Sequence, residues 1–434
     1  IAGSGSWIFY NMNILNPYVS PNEIKALLAQ HEIQHSQHAA LPMPKITGIQ
    51  LDLAIYPYER RIEARSLLTL RNRTSAAIDA IHLELPSRTE FVVLDMAGAT
   101  LASADQALGY NRYTLATPMQ PGEERILTVE ALIQQRGFSY ASEDTTLVRN
   151  GTYFELNRLI PHIGYSGTKI LVEPDDREKY GLDPALPIGK LDEGRDSPNF
   201  NSHAMRSDSD QITLEVTLST VTGQTAVTAG RLVNQWTEEG RSYFQYKTDQ
   251  PIYPVVPFFS AEYAVQRQTW TDPTAANPDP IEIEIYYHPS HAHQLDIMLA
   301  ALQDGLAYYG QSFGPYQYQQ LRVMEYPLYR NNSRSLPTIM AHSESDFVKQ
   351  NPSENYATMA HELSHHWWGH QVIFARVEGA GMMEGLATYS ARMLVEAKYG
   401  KDYFLHPRTT PPRIRYLRGR NSDRIGETPL NRAL

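Results

Sequence analysis

The stretch His361-Glu362-Leu363-Ser364-His365, followed after eighteen intervening residues by Glu384 in Met382-Met383-Glu384-Gly385-Leu386-Ala387, decides how the rest of the chain is read. On a helix two histidines four apart lie on one face. Both imidazoles can then reach a single Zn²⁺, and the glutamate between them projects beside the metal as a general base. A second helix carrying Glu384 would supply a third ligand and leave the fourth position to water, the arrangement of a catalytic rather than a structural zinc. A buried carboxylate facing two buried imidazoles is costly unless a cation lies between them.

The local sequence predicts a helix for each part. Ser353 in Asn351-Pro352-Ser353-Glu354 is a candidate N-cap, and Gly369 closes the run from Asn355 to Trp368. Met359, Leu363 and Trp367 form an apolar stripe beside the ligand face. After Gly379-Ala380-Gly381 the run from Met383 to Tyr399 predicts a second helix that stops at Gly400. Its small residues Ala387, Thr388 and Ala391 would let it approach the first helix closely.

Further out, the pattern changes period. Residues 1–43 form a lead-in segment with one helix, Pro21 to His38. From Pro44 apolar residues alternate, at Ile49, Leu51, Leu53 and Ile55, at Ile81, Leu83 and Leu85, and at Ile212, Leu214, Val216 and Leu218. Alternation of this kind predicts an antiparallel, β-rich domain over residues 44–280. Asn150-Gly151 signals a hairpin joining 145–149 to 152–156. Residues 172–209 read as a long polar loop with a short helix near 176–180. Ile281, Ile283 and Ile285 make the last clean alternation before helical spacing begins at Leu295, Met298, Leu299, Leu302 and Leu306. Residues 281–434 are therefore expected to form a second, mainly helical domain, and the fold class is α+β.

Composition sets limits on function. The 434 residues are 42% hydrophobic and 10% aromatic, enough for ordinary globular cores. A net charge of −10 argues against nucleic acid or an anionic membrane surface as partner, since a phosphate-binding face needs clustered basic charge. The arginines between Arg408 and Arg424 read as a solvated face or an ion-pair network. The absence of cysteine excludes disulfides and thiol chemistry. No apolar stretch is long enough to span a bilayer, and the start at Ile1 reads as a boundary inside a larger protein. His288, His291 and His293 have no acidic or thiol neighbour in sequence and read as a solvated helix start. His366 and His370 lie off the ligand face, and Trp367 and Trp368 read as core. There is no glycine-rich phosphate loop and no nucleophile elbow.

With its motif and spacing, the chain resembles the M1 family of zinc aminopeptidases. It is most similar to the branch fused into multi-span ABC-type permease proteins of bacteria. The stretches that carry this closer resemblance are Trp7-Ile8-Phe9-Tyr10-Asn11 with Leu15-Asn16, Phe313-Gly314-Pro315-Tyr316, Glu325-Tyr326-Pro327, His342-Ser343-Glu344, Tyr416-Leu417-Arg418 and Glu427-Thr428-Pro429-Leu430. The resemblance implies Zn²⁺ held by His361, His365 and Glu384, with Glu362 as the base. It also implies a β-rich N-terminal domain followed by a thermolysin-like, mainly helical catalytic domain with a small sheet packed over the zinc helices. The expected activity is that of a zinc metalloaminopeptidase acting on peptide substrates. The domain would be periplasmic, linked in the natural chain to transmembrane permease segments. Two alternatives stay open: endopeptidase cleavage, and a peptide-capture domain with a retained zinc site and little turnover.

The sequence departs from the family pattern in three places. The Gly-x-Met-Glu-Asn stretch that grips the substrate's amino group is absent, which leaves Glu325 and Glu344 as substitute substrate-binding candidates. Met383 replaces the usual asparagine before the ligand glutamate. The family's transition-state tyrosine is expected beyond Glu427–Leu430, so the catalytic domain is expected to be C-terminally truncated at Leu434. Tyr389, Tyr399, Tyr403 and Tyr416 all come too early.

Overall fold

Alternating burial along the strands organises most of the molecule. In β1 Ile49, Leu51, Leu53 and Ile55 are buried while Gln50 and Asp52 are exposed, the period of a half-buried sheet. The computed structural model describes residues 2–138, 146–184, 206–273, 279–329, 332–348, 351–373 and 380–405. In chain order the strands are β1 (Lys45–Tyr56), β2 (Arg61–Arg71), β3 (Ile78–Glu84), β4 (Glu90–Met96), β5 (Ala99–Asp105), β6 (Tyr110–Met119), β7 (Glu124–Gln134), β8 (Thr152–Glu155), β9 (His162–Ile163) and β10 (Ser209–Val221). They continue with β11 (Thr225–Thr228), β12 (Arg231–Glu238), β13 (Arg241–Lys247), β14 (Pro257–Ala261), β15 (Ala264–Trp270), β16 (Ile281–Tyr287), β17 (Gln320–Tyr326), β18 (Arg334–Leu336) and β19 (Ile339–Ser343). The helices are α1 (Ala2–Phe9), α2 (Pro21–His35), α3 (Pro174–Lys179), α4 (Leu295–Phe313), α5 (Glu344–Val348), α6 (Pro352–Ser364) and α7 (Ala380–Tyr399).

The chain divides into two compact units, residues 1–202 with 206–262, and residues 203–205 with 263–434. The first holds a seven-stranded sheet in the order β12-β13-β10-β1-β2-β7-β4, a four-stranded sheet β5-β6-β3-β9 and a three-stranded sheet β11-β14-β8. The expected antiparallel character needs one correction, because β1 and β10 at the centre of the large sheet run parallel. Alternating burial is the same for either direction, and the long segment between the two strands supplies the crossover that a parallel pair needs. The helix expected over 21–38 is present as α2, capped by a reciprocal Ser20–Glu23 box and extended by a 3-10 turn to His38.

Asn150-Gly151 does not make a hairpin. Among the described residues 146–149 form no strand, and β8 pairs with β14 instead. Tyr153 stacks on Phe259 at 4.7 Å and Phe154 meets Phe258 at 5.3 Å. These aromatic cross-strand pairs outweigh a local turn preference.

The second unit begins at Tyr263, so β15 belongs to it and pairs with β16, ahead of the boundary expected at residue 281. A five-stranded sheet, β15-β16-β17-β19-β18, carries β16, β17 and β19 side by side and parallel. Buried Ile283, Ile285, Leu321 and Val323 from the strands pack with Leu302, Leu306, Met359, Leu363 and Leu394 from the helices in one core. Among the described residues no helix is long and apolar enough to cross a membrane.

Candidate metal centre

α6 and α7 bring the motif residues together. α6 starts at Pro352, whose ring presets the first turn, with Asn351 rather than Ser353 at the cap position. It ends four residues before Trp368, with His365 as the C-cap. Beyond it the chain turns tightly: Trp368 N–H still reaches Ser364 O at 3.0 Å, and Val372 N–H reaches back to Trp367 O at 2.8 Å. Two indoles fix this turn. Trp367 donates to Gly314 O at 2.8 Å and Trp368 donates to Ser390 Oγ of α7 at 2.9 Å. Ser364 Oγ lies 3.2 Å from Ala387 O, a second tie between the helices. Of the small residues expected at this contact, Ala387 and Ala391 are buried, while Thr388 is exposed. On the other side α4 approaches so closely that a Cβ on Gly305 would stand 2.5 Å from Leu363 Cδ2.

The donor atoms converge. His361 Nε2 is 3.2 Å from His365 Nε2 and 3.4 Å from Glu384 Oε2, and His365 Nε2 is 3.6 Å from Glu384 Oε1. A tetrahedral zinc with bonds of about 2.0–2.2 Å holds its ligand atoms roughly 3.4 Å apart, so this donor set fits the ion in chemistry and in spacing. His365 Nδ1 faces Trp368 O at 3.1 Å, which places the proton on Nδ1 and turns the Nε2 lone pair toward the site. His365 is 8% exposed, His361 25% and Glu384 58%, so the trio is open on its Glu384 side.

Electrostatically the three groups favour positive charge among them. The two imidazoles, through their hydrogen bonds, hold the Glu384 carboxyl far below the usual carboxylate range. Burial works against a charged His365, yet the Glu384 and Glu362 carboxylates and the Trp368 carbonyl more than offset it, so its pKa is raised. Glu362 is buried and is not one of the three converging donors. His366 is buried and neutral, pushed down to about 3 by desolvation and then by the charge of His365. Its Nδ1 meets Tyr316 Oη at 3.0 Å.

Glu325 and Glu344 fall elsewhere. They gather with His291 in a second group of converging donor atoms, all within 4.8 Å of one another. The expectation that the histidines near 288–293 lack acidic partners is therefore corrected: His291 Nδ1 bonds closely to Glu325 Oε1, and His288 N–H donates to Glu325 Oε2 at 2.7 Å. Sequence distance hid this, because the partners come from the end of a strand more than thirty positions away. Burial raises the Glu325 carboxyl, and His291 and the His288 N–H only partly oppose it. Tyr389 is exposed, while Tyr399 packs on Tyr356 and Tyr403. Tyr416, the arginine run and the Glu427–Leu430 stretch lie outside the described residues.

One feature escaped the sequence reading altogether. His31-Glu32-Ile33-Gln34-His35 in α2 is a second copy of the motif. The fold uses it differently. Glu32 accepts a bidentate pair from Arg177 at 2.8 and 2.9 Å, with both side chains buried. His35 stacks on Tyr110 at 3.9 Å, and His31 stacks on Tyr165 at 5.4 Å with its Nε2 3.6 Å from Glu84. The position equivalent to Glu384 is Ala54, inside β1. That missing carboxylate was the signal available in sequence for telling the two copies apart.

Neither a protein-family model nor a characterised relative in sequence matches the chain. Solved structures do. An M1 zinc metallopeptidase of Deinococcus radiodurans, a glutamate-to-alanine mutant bound to a Tyr-Ser-Ala substrate, superimposes with a TM-score of 0.58 at 16% identity, over 92% of this chain and 81% of that one. Another M1 zinc metallopeptidase structure from the same organism gives 0.55 at 17% identity, over 86% and 76%. A two-domain M1 zinc metallopeptidase mutant bound to L-arginine gives 0.55 at 16% identity, over the same shares. At these identities the likeness is one of fold.

Proposed function

We propose that this chain is a zinc-dependent peptidase domain that hydrolyses peptide bonds and, in the finer form of the reading, removes N-terminal residues from peptides. The observation that carries it is the convergence of His361, His365 and Glu384 to within 3.2–3.6 Å from two tied helices, with Glu362 beside them. The shared fold with M1 zinc metallopeptidases, one of which is bound to a tripeptide substrate, supports the same reading.

When bound, zinc would polarise the scissile carbonyl and acidify a water molecule. Glu362 takes the proton from that water and delivers it to the leaving amine. His365 is kept in the ligating tautomer by Trp368 O. The exposed side of Glu384 leaves an approach for an extended peptide. Glu325 and Glu344, the substitute candidates for gripping the substrate's amino group, belong only to the finer form of this reading.

Glu362→Gln tests the mechanism. It should leave metal content unchanged and lower peptide hydrolysis by about 10² or more, the usual weight of a general base. Equal rates in the variant and the parent chain, at matched metal content, would overturn the assignment. Paired peptides with free and acetylated amino termini test the finer form, which requires cleavage of the free-amine member alone.

A further inference from the structure

His291, Glu325 and Glu344 reach one point from three separate elements. Glu325 lies near the carboxyl end of β17, Glu344 follows directly on β19, and His291 follows β16 in a short 3-10 turn. β16, β17 and β19 are adjacent and parallel, so all three side chains stand at the carboxyl edge of one parallel sheet segment, the edge where open sheets of this kind place their ligands.

We infer that His291, Glu325 and Glu344 form a second divalent-cation site, separate from the His361–His365–Glu384 trio, suited to Zn²⁺ or another first-row transition metal. One donor atom from each residue lies within 4.8 Å of the other two, and Glu325 is buried. An imidazole with two carboxylates is a donor set for such ions, and a dication removes the repulsion between two carboxylates brought together away from water. The orientation of Glu325 is prepared for it: the His288 N–H holds Oε2 at 2.7 Å and leaves Oε1 facing the cluster. That is how ligating carboxylates are usually fixed. Across the β17–β19 pair His342 stands opposite Glu325, on the same face of the sheet. Its Nδ1 is paired with Asp346 Oδ2 at 3.0 Å, and its Nε2 is buried with no hydrogen-bond partner, an atom that a water shared with a bound ion would satisfy. The hydrogen bond between His291 and Glu325 resembles the pairing of His361 with Glu384 in the trio, where an imidazole and a carboxylate likewise face each other.

The test is metal stoichiometry by native mass spectrometry of the chelator-stripped chain titrated with Zn²⁺. The parent should take up two equivalents. Glu325→Gln should take up one, and so should His291→Ala, whose side chain is 23% exposed. The His361→Ala, His365→Ala double variant should also keep one, and combining it with His291→Ala should leave none. A parent that binds one equivalent, unchanged in Glu325→Gln and His291→Ala but lost in the double variant, would overturn this site and leave the trio standing. A single equivalent lost in His291→Ala but kept in the double variant would sink the trio instead. A second equivalent that survives both Glu325→Gln and His291→Ala would be adventitious, and would likewise overturn the assignment.

Discussion

Gly305→Ala puts helix propensity and packing in direct opposition. In the interior of α4 an alanine should stabilise by about 0.5–1 kcal/mol over glycine. The new Cβ, however, would stand 2.5 Å from Leu363 Cδ2, with Leu394 Cδ2 and Tyr309 Cε2 both at 3.5 Å. Carbon atoms in contact sit roughly 3.5–4.0 Å apart, so something must move by about 1 Å. Leu363 is fully buried in the core of the second unit, and so are Met359 and Trp367 around it. Overpacking of this kind costs about 1–3 kcal/mol. The net expectation is a loss of roughly 1–2 kcal/mol, a fall of about 2–8 °C in the melting temperature of the zinc-stripped chain. Leu363→Ala alone should cost about 2–5 kcal/mol through the cavity it leaves. In that background Gly305→Ala has no methyl to strike and should stabilise, so the two changes couple by about 2 kcal/mol in a double-mutant cycle. A Gly305→Ala variant as stable as the parent, or more so, would refute the reasoning and place Leu363 in a looser core than the distances give.

Two further outcomes concern the first unit. Glu32→Gln strands the buried Arg177 guanidinium and should destabilise by about 3–5 kcal/mol while leaving zinc stoichiometry unchanged. Glu362→Gln likewise leaves metal content unchanged but lowers peptide hydrolysis, so denaturant melts set against hydrolysis rates distinguish the two motif glutamates. The second outcome is acid sensitivity. His82 is held down to about 4, against an ordinary 6.5, by burial and then by the charges of His38, Arg112 and His35. Between those values the unfolded chain binds more protons, so this stability is complete above about pH 6.5 and is lost as pH falls toward 4, by up to roughly 3 kcal/mol. Glu84, held at about 2 by His31 and Lys169 against the opposing effect of burial, adds a loss below about pH 4.5. Denaturation midpoints that stay flat from pH 7 to 4.5, or a His82→Asn variant with the parent's slope, would count against this account.

His361 and His365 were legible as a pair because helical spacing fixes which side chains share a face, and Glu384 because of its eighteen-residue spacing from the motif. The helices α2, α4 and α7 and the strands β1, β10 and β16 were legible for the same reason of period. Direction and partner were not. Nothing in the alternation of β1 distinguishes a parallel neighbour from an antiparallel one, and Asn150-Gly151 spoke only for its own turn while Phe258 and Phe259 decided where β8 pairs. The end of α6 was misplaced because Trp367 and Trp368 bond to Gly314 and Ser390, partners that no local pattern contains. His291 was read as solvated for lack of acidic neighbours in sequence, whereas its neighbours come from two strand ends.

The early end of α6 has an electrostatic consequence. A helix that stopped at Trp368 would carry His365 a full turn inside, with its peptide dipoles summing to their negative pole beyond the ligands. Because His365 is itself the C-cap, that pole falls within about a turn of the two imidazoles. Helix C-termini stabilise nearby positive charge by about 0.3–1 kcal/mol at the surface and up to ~2 kcal/mol when partly buried. At about 1.4 kcal/mol per factor of ten, that is up to roughly 25-fold in cation affinity. The backbone itself thus acts as an additional ligand field, and the tight turn from His366 to Gly369 keeps it aimed at the site.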